Sequence, residues 1–370
     1  MIGLAVVTLA GAMSLYATPS APSGRGVAAQ DELVALRDAA ERGDAASEFK
    51  LGVKYATGDG VPTNDSLAAD WIRKAAQQGY VDAEYNLGLM YADGNGVPQD
   101  SAQALVWLRK AADHGDPRAE SNLGLMYANG SGVAQDLRQA ASWYRKSADH
   151  GERSAQFTLA LMYAAGNGVP KDTTEAAAWF RKAADQGHVL AQYNLGLMYL
   201  NGDGVSRDVI QAVQWLRRAA DQGDATAQFT MGVVYANGTG VVRDDAQAVS
   251  WYRKAAEQGL PAAQTNLGTR YANGDGVTRD PGQAAEWFRK ASEHGDMTAA
   301  FNLGVMYANG IGIGPDPIEA YKWITIAAAR ATGDEQKKAA AALRTLAGVL
   351  PVGQSTQGET LAQQWLHDHR

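Results

Sequence analysis

The chain has 370 residues, of which 20% are charged, and its net charge is −7 at neutral pH. A surface that binds a phosphate backbone needs a basic stripe, so this charge balance argues against a nucleic-acid partner. The chain contains no cysteine, which excludes disulfides, thiol catalysis and cysteine-based metal sites.

Residues 1–26 form a signal-like apolar segment and a linker. Residues 2–17 carry no charge and would span roughly 24 Å as a helix, less than the roughly 30 Å hydrocarbon core of a bilayer. No basic residue precedes this run and no Ala-x-Ala ends it, which weakens the signal pattern. We predict an exported protein, periplasmic or secreted. A membrane anchor, or a cytoplasmic protein with an accidentally apolar N-terminus, is the alternative.

Residues 27–42 follow the pattern of one helix of the repeat that comes next, with Ala35 in place of its Trp. Acidic and basic side chains make this segment polar, as the end of a stacked array requires. We therefore predict an N-terminal cap helix over residues 27–42.

Residues 43–330 consist of eight copies of one 36-residue sequence in fixed register. Each copy opens with Gly, a Tyr follows twelve residues later, and a Trp follows sixteen residues after the Tyr. Copies 1 to 8 open at Gly43, Gly79, Gly115, Gly151, Gly187, Gly223, Gly259 and Gly295. Self-similarity at a fixed period predicts a repeat array, in which each copy packs on its neighbours.

Each copy predicts two helices joined by a glycine loop. In copy 2, apolar residues at spacings of three and four indicate the first helix, and Gly94 and Gly96 break it. Asp100 is a good N-cap for the second helix. Gly88, inside the first helix, indicates close approach of a neighbouring helix.

The second helix has a buried stripe and an exposed one. The Trp column is predicted to be structural, because burying each indole removes about 150–250 Å² from water. Arg109 and Lys110 follow Trp107 in the sequence. We expect this Arg-Lys pair, which recurs in most copies, to form a solvated face.

These columns resemble the signature of tetratricopeptide helical repeats. The residues that carry the resemblance in copy 2 are Tyr85, Asn86, Leu87, Gly88, Tyr91, Ala104, Leu108 and Ala111. The copy is longer than the 34 residues of that family. With its Gly-x-Gly-Val loop, its Trp and its Arg-Lys-Ala-Ala ending, the sequence is similar to the Sel-one-like repeat (SLR) branch. The resemblance implies an all-α fold, a right-handed α-solenoid of eight 36-residue helix–loop–helix repeats with terminal capping helices. It also implies a role in holding protein partners.

Residues 331–370 are predicted to be C-terminal cap helices. Residues 333–350 show apolar and alanine faces, and residues 360–369 carry Trp365. The Pro, Gly, Ser and Gln content of residues 351–358 predicts a linker between the two helices.

Catalytic and metal patterns are missing from the sequence. His114, His150 and His294 share one column at the end of the second helix, where the helix dipole favours an imidazolium. A weak metal contact is the alternative for this column, but no carboxylate is spaced to complete it. Zinc-protease pairs, phosphate-binding loops and nucleophile elbows are not found. We predict no catalytic residue, no cofactor and no metal.

The columns that vary between copies are candidates for partner binding. In tetratricopeptide arrays the first helices line the concave surface. By that analogy, two neighbouring columns would face a ligand here. The aromatic column is Phe49, Tyr85, Ser121, Phe157, Tyr193, Phe229, Thr265 and Phe301. The amide column is Lys50, Asn86, Asn122, Thr158, Asn194, Thr230, Asn266 and Asn302. Aromatic anchors beside amides suit an extended peptide.

Two questions about these columns stay open at this point. The rings either face a ligand or pack between repeats. Arg270 replaces a Met of the other copies and either faces a partner or extends its charge to water past apolar neighbours. The predicted partner-binding residues are Tyr85, Asn86, Phe157, Tyr193, Asn194, Phe229, Asn266, Arg270, Phe301 and Asn302.

The predicted function is a non-enzymatic scaffold, adaptor or regulator that binds a peptide or protein on its concave face. A hydrolase acting on a cell-wall or polysaccharide-type substrate is one alternative, although no nucleophile–base set is visible. A purely structural, self-associating module is the other.

Overall fold

The computed structural model of the chain describes residues 26–369, which form nineteen α-helices and no strand. Residues 1–25, and with them the predicted signal-like segment, lie outside the described residues. Within the described range, no helix has both the length and the apolar character that crossing a bilayer requires.

Each copy contributes a pair of consecutive helices. The first helices are α2 (Ala45–Thr57), α4 (Val81–Asp93), α6 (Pro117–Asn129), α8 (Arg153–Ala165), α10 (Val189–Asn201), α12 (Ala225–Asn237), α14 (Pro261–Asn273) and α16 (Met297–Asn309). The second helices are α3 (Asp65–Gln77), α5 (Ser101–Asp113), α7 (Leu137–Asp149), α9 (Thr173–Asp185), α11 (Val209–Asp221), α13 (Asp245–Glu257), α15 (Pro281–Glu293) and α17 (Pro317–Arg330). The prediction of an all-α solenoid of helix–loop–helix copies is confirmed.

The helices form two compact units. The N-terminal unit extends to Asn194 and includes residues 203–205, and the C-terminal unit comprises residues 195–202 and those from 206 onwards. Within each unit, every first helix packs on the second helix of its own copy, and that second helix packs on the first helix of the next.

Aspartate caps begin the second helices. The Asp100 carboxylate accepts hydrogen bonds from the amides of Ala102 and Gln103 at 2.9 and 3.0 Å. The same pair of bonds is made by Asp136, Asp172, Asp208, Asp244 and Asp316. Each such cap typically contributes about 1 kcal/mol to helix stability. The predicted N-cap column is confirmed.

Small residues let the helices approach each other. A Cβ atom on Gly88 would lie 2.7 Å from Cγ of Leu108, so the close approach predicted for this column is confirmed. Gly96 has a second role beyond its turn. A side chain there would overlap the carbonyl of Asp65, because each loop lies against the second helix of the preceding copy.

Six of the eight Trp side chains are buried, with Trp179 only 3% exposed, and Trp71 and Trp287 are half-buried. The expectation of a solvated Arg-Lys face is confirmed for the lysines, which are exposed, whereas several of the arginines are half-buried and contact the next copy. Arg109 Nη2 donates a hydrogen bond to the Tyr127 hydroxyl at 2.6 Å, and its guanidinium lies 5.3 Å from the Trp143 ring. We call this the Arg–Tyr–Trp contact. It recurs as Arg145–Tyr163–Trp179 and Arg217–Tyr235–Trp251. In these three cases it joins a second helix to the following copy.

The ends of the array carry the cap helices α1 (Gly26–Glu41), α18 (Gly333–Val349) and α19 (Val352–Asp368). The predicted linker at residues 351–358 is wrong, because α19 begins at Val352. Gly358 is there for packing: a Cβ atom on it would meet the Tyr321 side chain at 2.8 Å. Trp365 packs against Trp323 with ring centroids 6.0 Å apart.

Candidate partner-binding site

The aromatic column lies largely inside the stack. Phe157 is 7% exposed, and its ring lies 5.7 Å from that of Phe180 and 4.3 Å from that of His188. Tyr193 is 3% exposed. At these two positions the rings therefore pack between repeats and do not face a ligand.

The other rings of this column are half-buried. The guanidinium of Arg118 lies 4.4 Å from the Tyr85 ring, and the Tyr85 hydroxyl accepts a hydrogen bond from Asn122 Nδ2 at 3.3 Å. Burial raises the pKa of the Tyr85 phenol. Phe229 lies 5.8 Å from the Tyr252 ring, and Phe301 packs against the core of copy 8. These rings are therefore only partly accessible to a ligand.

The amide column uses its donors internally. Nδ2 of Asn86 donates to the carbonyl of Asp82 at 2.7 Å, and Nδ2 of Asn266 donates to that of Ala262 at 2.8 Å. Both side chains are half-buried, so each presents its Oδ1 acceptor. Asn194 makes the same bond to Leu190 but is only 1% exposed. Among residues 26–369, Asn302 finds no side-chain hydrogen-bond partner.

Arg270 pairs with a neighbouring copy. Its Nη1 donates to Oδ1 of Asp245 at 2.8 Å, and the side chain is 16% exposed. Asp245 also accepts from Arg243 at 2.8 Å, and Arg243, followed by Arg270, lowers the pKa of the Asp245 carboxyl. Asp275 lies 3.8 Å away from Arg270. The Arg270 guanidinium is thus held at the junction of copies 6 and 7.

A cleft of about 310 Å³ opens at the next junction, between copies 7 and 8. We call it cleft 7/8. Its apolar lining consists of Ala272, Pro281, Phe288, Val305, Met306 and Ile311. Its polar lining consists of Thr269, Asn273, Arg279 and Asn302. Asn302 also lines a smaller cleft of about 160 Å³ beside α18, together with Phe301.

The predicted site residues do not gather at one point. The structure brings Phe301 and Asn302 to neighbouring clefts, while Asn86 lines a cleft of about 40 Å³ between copies 1 and 2. The small cleft and cleft 7/8 are equivalent, because their lining residues occupy the same repeat positions six copies (216 residues) apart. Val53 corresponds to Thr269, for example, and Ile72 corresponds to Phe288. Cleft 7/8 was missed from the sequence. The signal for it was Thr269, where four other copies have Leu.

The histidine column has carboxylate partners after all. His114 Nδ1 lies 2.9 Å from Glu84, and His150 Nδ1 lies 2.8 Å from Glu120. These glutamates stand thirty residues upstream and are nearly fully buried, so the expectation that no carboxylate reaches the histidines is wrong. Within the described range, no group of three acidic, histidine or cysteine residues could hold a metal ion.

Comparisons with known proteins agree with the repeat register. The family model described as the Sel1 repeat matches residues 45–80, 81–116, 117–152, 153–188, 189–224, 225–260, 261–296 and 298–331. A comparison with curated proteins finds no match.

Two solved structures are similar over most of their length. One is a Sel1 repeat protein from Oxalobacter formigenes, with 34% identity and a TM-score of 0.65, covering 87% of this chain and 96% of that one. The other is c5321, a protective antigen present in uropathogenic Escherichia coli strains and displaying an SLR fold. It has 30% identity and a TM-score of 0.62, with coverage of 92% and 87%.

Proposed function

Because this chain belongs to the Sel1 repeat family, we propose that it is a non-enzymatic scaffold or adaptor that binds a peptide or protein segment on the face of its first helices. Proteins built from these repeats are generally protein-interaction scaffolds. In such a protein the stack provides stability, and the side chains that the stack does not use recognise the partner.

The observation that carries the proposal is the state of the amide column. The Nδ2 groups of Asn86 and Asn266 donate to carbonyls of their own helices, so their Oδ1 atoms remain available as acceptors. Asn302 keeps both its donor and its acceptor. An extended peptide offers backbone N–H groups at regular intervals, and these pair with such acceptors.

Screening a display library of random peptides against the full chain tests the proposal. We expect binders whose affinity falls at least tenfold in the double variant Asn266→Ala/Asn302→Ala, which changes neighbouring copies of the C-terminal unit. The matched control is Gln214→Ala/Ser250→Ala, which changes two exposed side chains of the second helices in the same unit and should leave affinity unchanged. Equal loss in both variants, or no loss in the first, would overturn the assignment to this face. Failure to find any binder would overturn peptide recognition itself.

We further propose that the protein is exported to the periplasm or beyond the cell. The uncharged apolar run of residues 2–17 supports this. Fusing residues 1–26 to a reporter enzyme that is active only outside the cytoplasm tests it. Activity equal to that of the reporter without these residues would reject export.

A further inference from the structure

We propose that cleft 7/8 is the anchor pocket of this protein and that it takes an apolar side chain of an extended partner peptide, with an acidic residue of the same peptide at its rim. This inference rests on the proposed function and specifies the site and the chemistry of the partner. Three features of the junction between copies 7 and 8 support it: its volume, its apolar walls and its unpaired cation.

One wall of the cleft is formed by a short side chain. Thr269 occupies a position where Leu89, Leu125, Leu161 and Leu197 stand in other copies. Threonine is smaller than leucine, and its hydroxyl is turned back to the Thr265 carbonyl at 2.9 Å. The cleft, at about 310 Å³, reaches the lower end of the roughly 300–1,000 Å³ typical of ligand pockets. The equivalent cleft between copies 1 and 2, at about 40 Å³, has room only for water, although Val53 at the position of Thr269 is similar in size.

The walls of cleft 7/8 are apolar where the preceding junction is charged. Met306 occupies the position that Arg270 has one copy earlier, and Pro281 occupies that of Asp245. At the junction of copies 7 and 8, two apolar residues therefore replace the ion pair found at the junction of copies 6 and 7. Phe288 is 3% exposed and Ile311 is 44% exposed, so the pocket runs from a buried ring to an open apolar mouth. An aliphatic or aromatic side chain is the group that such a pocket stabilises.

The rim carries a cation without a carboxylate partner. Nε of Arg279 donates to the carbonyl of Ala272 at 3.0 Å, which fixes the base of the guanidinium. Its two Nη atoms have no hydrogen-bond partner in the described part of the chain. The nearby Asp275 accepts from Asn273 at 3.2 Å and lies 3.8 Å from Arg270. An acidic residue of the peptide next to the anchor residue would form an ion pair with the Arg279 guanidinium.

The charge of Arg279 is not needed for the fold. In copies 2 and 3 the same position holds Gln99 and Gln135, and each donates to the equivalent carbonyl at 2.8 Å. Arg279→Gln therefore keeps the structural bond and removes only the charge. Arg207 makes the same bond to Leu200 at 3.0 Å, so Arg207→Gln is a matched control away from the cleft.

The experiment pans a random peptide library against the full chain and measures one enriched, labelled peptide by fluorescence anisotropy. We expect the enriched sequences to share an apolar residue next to Asp or Glu. Thr269→Leu, which restores the residue of four other copies, should weaken binding roughly 30-fold, as loss of an anchor residue does. Arg279→Gln should weaken it about threefold, the scale of an exposed ion pair. Arg207→Gln should leave it unchanged.

The outcomes separate this inference from the function on which it rests. Peptides that bind the wild type and Thr269→Leu equally would overturn the anchor pocket and leave peptide binding standing. Enriched peptides without an acidic residue would overturn the role of Arg279. A library that yields no binder would overturn both proposals. If Thr269→Leu does not fold, Ile311→Asn replaces it, because Asn95 and Asn167 occupy that position in other copies. Full binding by Ile311→Asn would also overturn the pocket.

Discussion

The junctions on the two sides of copy 7 have the same backbone arrangement, but one contains an ion pair and the other an apolar cleft. Between copies 6 and 7, the Arg270–Asp245 ion pair joins the copies. Between copies 7 and 8, Met306 and Pro281 take the same positions and a cleft remains. The recurring Gly, Trp and Asp columns build both junctions alike. The comparison teaches that a few variable positions decide whether a junction of this array is held by charges or offers an apolar pocket.

The largest expected effect comes from removing a core side chain of copy 7. Leu267 of α14 is fully buried, so Leu267→Ala should lower the free energy of unfolding by roughly 2–5 kcal/mol, through lost burial and a new cavity. Chemical denaturation followed by circular dichroism measures this. Val242, 88% exposed, provides the control: Val242→Ala should change stability by no more than about 0.5 kcal/mol. Equal effects of the two substitutions would mean that copy 7 is not a packed element.

Breaking the ion pair should have a smaller effect that depends on pH. Asp245→Asn leaves the mostly buried Arg270 without its nearest carboxylate, so the midpoint of thermal unfolding should fall at pH 7. The pKa of the Asp245 carboxyl is lowered in the folded state, chiefly by Arg243 and then by Arg270. Its stabilising contribution is therefore present above the unfolded value of about 3.9 and disappears as the pH falls through the lower folded value.

Thermal unfolding at several pH values checks this expectation. The difference between wild type and Asp245→Asn should shrink steadily below about pH 4. Asp275→Asn is the matched control, because Asp275 lies 3.8 Å from Arg270 and should contribute less. A difference that persists unchanged at acid pH would show that the charge of Asp245 is not what stabilises this junction.

The smallest effect is expected where the first junction is made more like the second. Arg270→Met introduces the residue found in five other copies, and Asp245 retains Arg243 as a partner. Stability should change by no more than about 1 kcal/mol, because replacing a buried ion pair by an apolar contact is often neutral. In a double-mutant cycle, Asp245→Asn should then cost less in the Arg270→Met background than in the wild type. Equal costs in the two backgrounds would show that Arg270 and Asp245 are not coupled.

Features set by local sequence were predictable. Asp100 caps its helix through amides two and three residues away, and Gly94 turns the chain by its own positive φ of 78°. The 36-residue period placed every helix pair. Such features depend on short separations and on chemistry that is the same in every copy.

Contacts over longer separations could not be predicted in this way. Arg109 reaches Tyr127 eighteen residues later, and Glu84 reaches His114 thirty residues later, so both contacts depend on how the helices are stacked. The depth of Phe157 in the stack was equally invisible from its column, which also holds the half-buried Tyr85. Cleft 7/8 is lined by residues of two copies, among them Thr269 of copy 7 and Met306 of copy 8. A single column does not reveal it.

The Arg–Tyr–Trp contact runs in one direction within each unit, from the second helix of one copy to the copy that follows. During synthesis Arg109 leaves the ribosome before Tyr127 and Trp143. The charged side chain is therefore present before the aromatic rings that it contacts. A gene shortened by whole copies from its 3′ end leaves unmatched guanidinium groups at the new boundary. One shortened from its 5′ end leaves unmatched aromatic rings. The first copy of such an array therefore needs an arginine from its cap, and α1 supplies one: Arg37 donates to the Tyr55 hydroxyl at 3.0 Å.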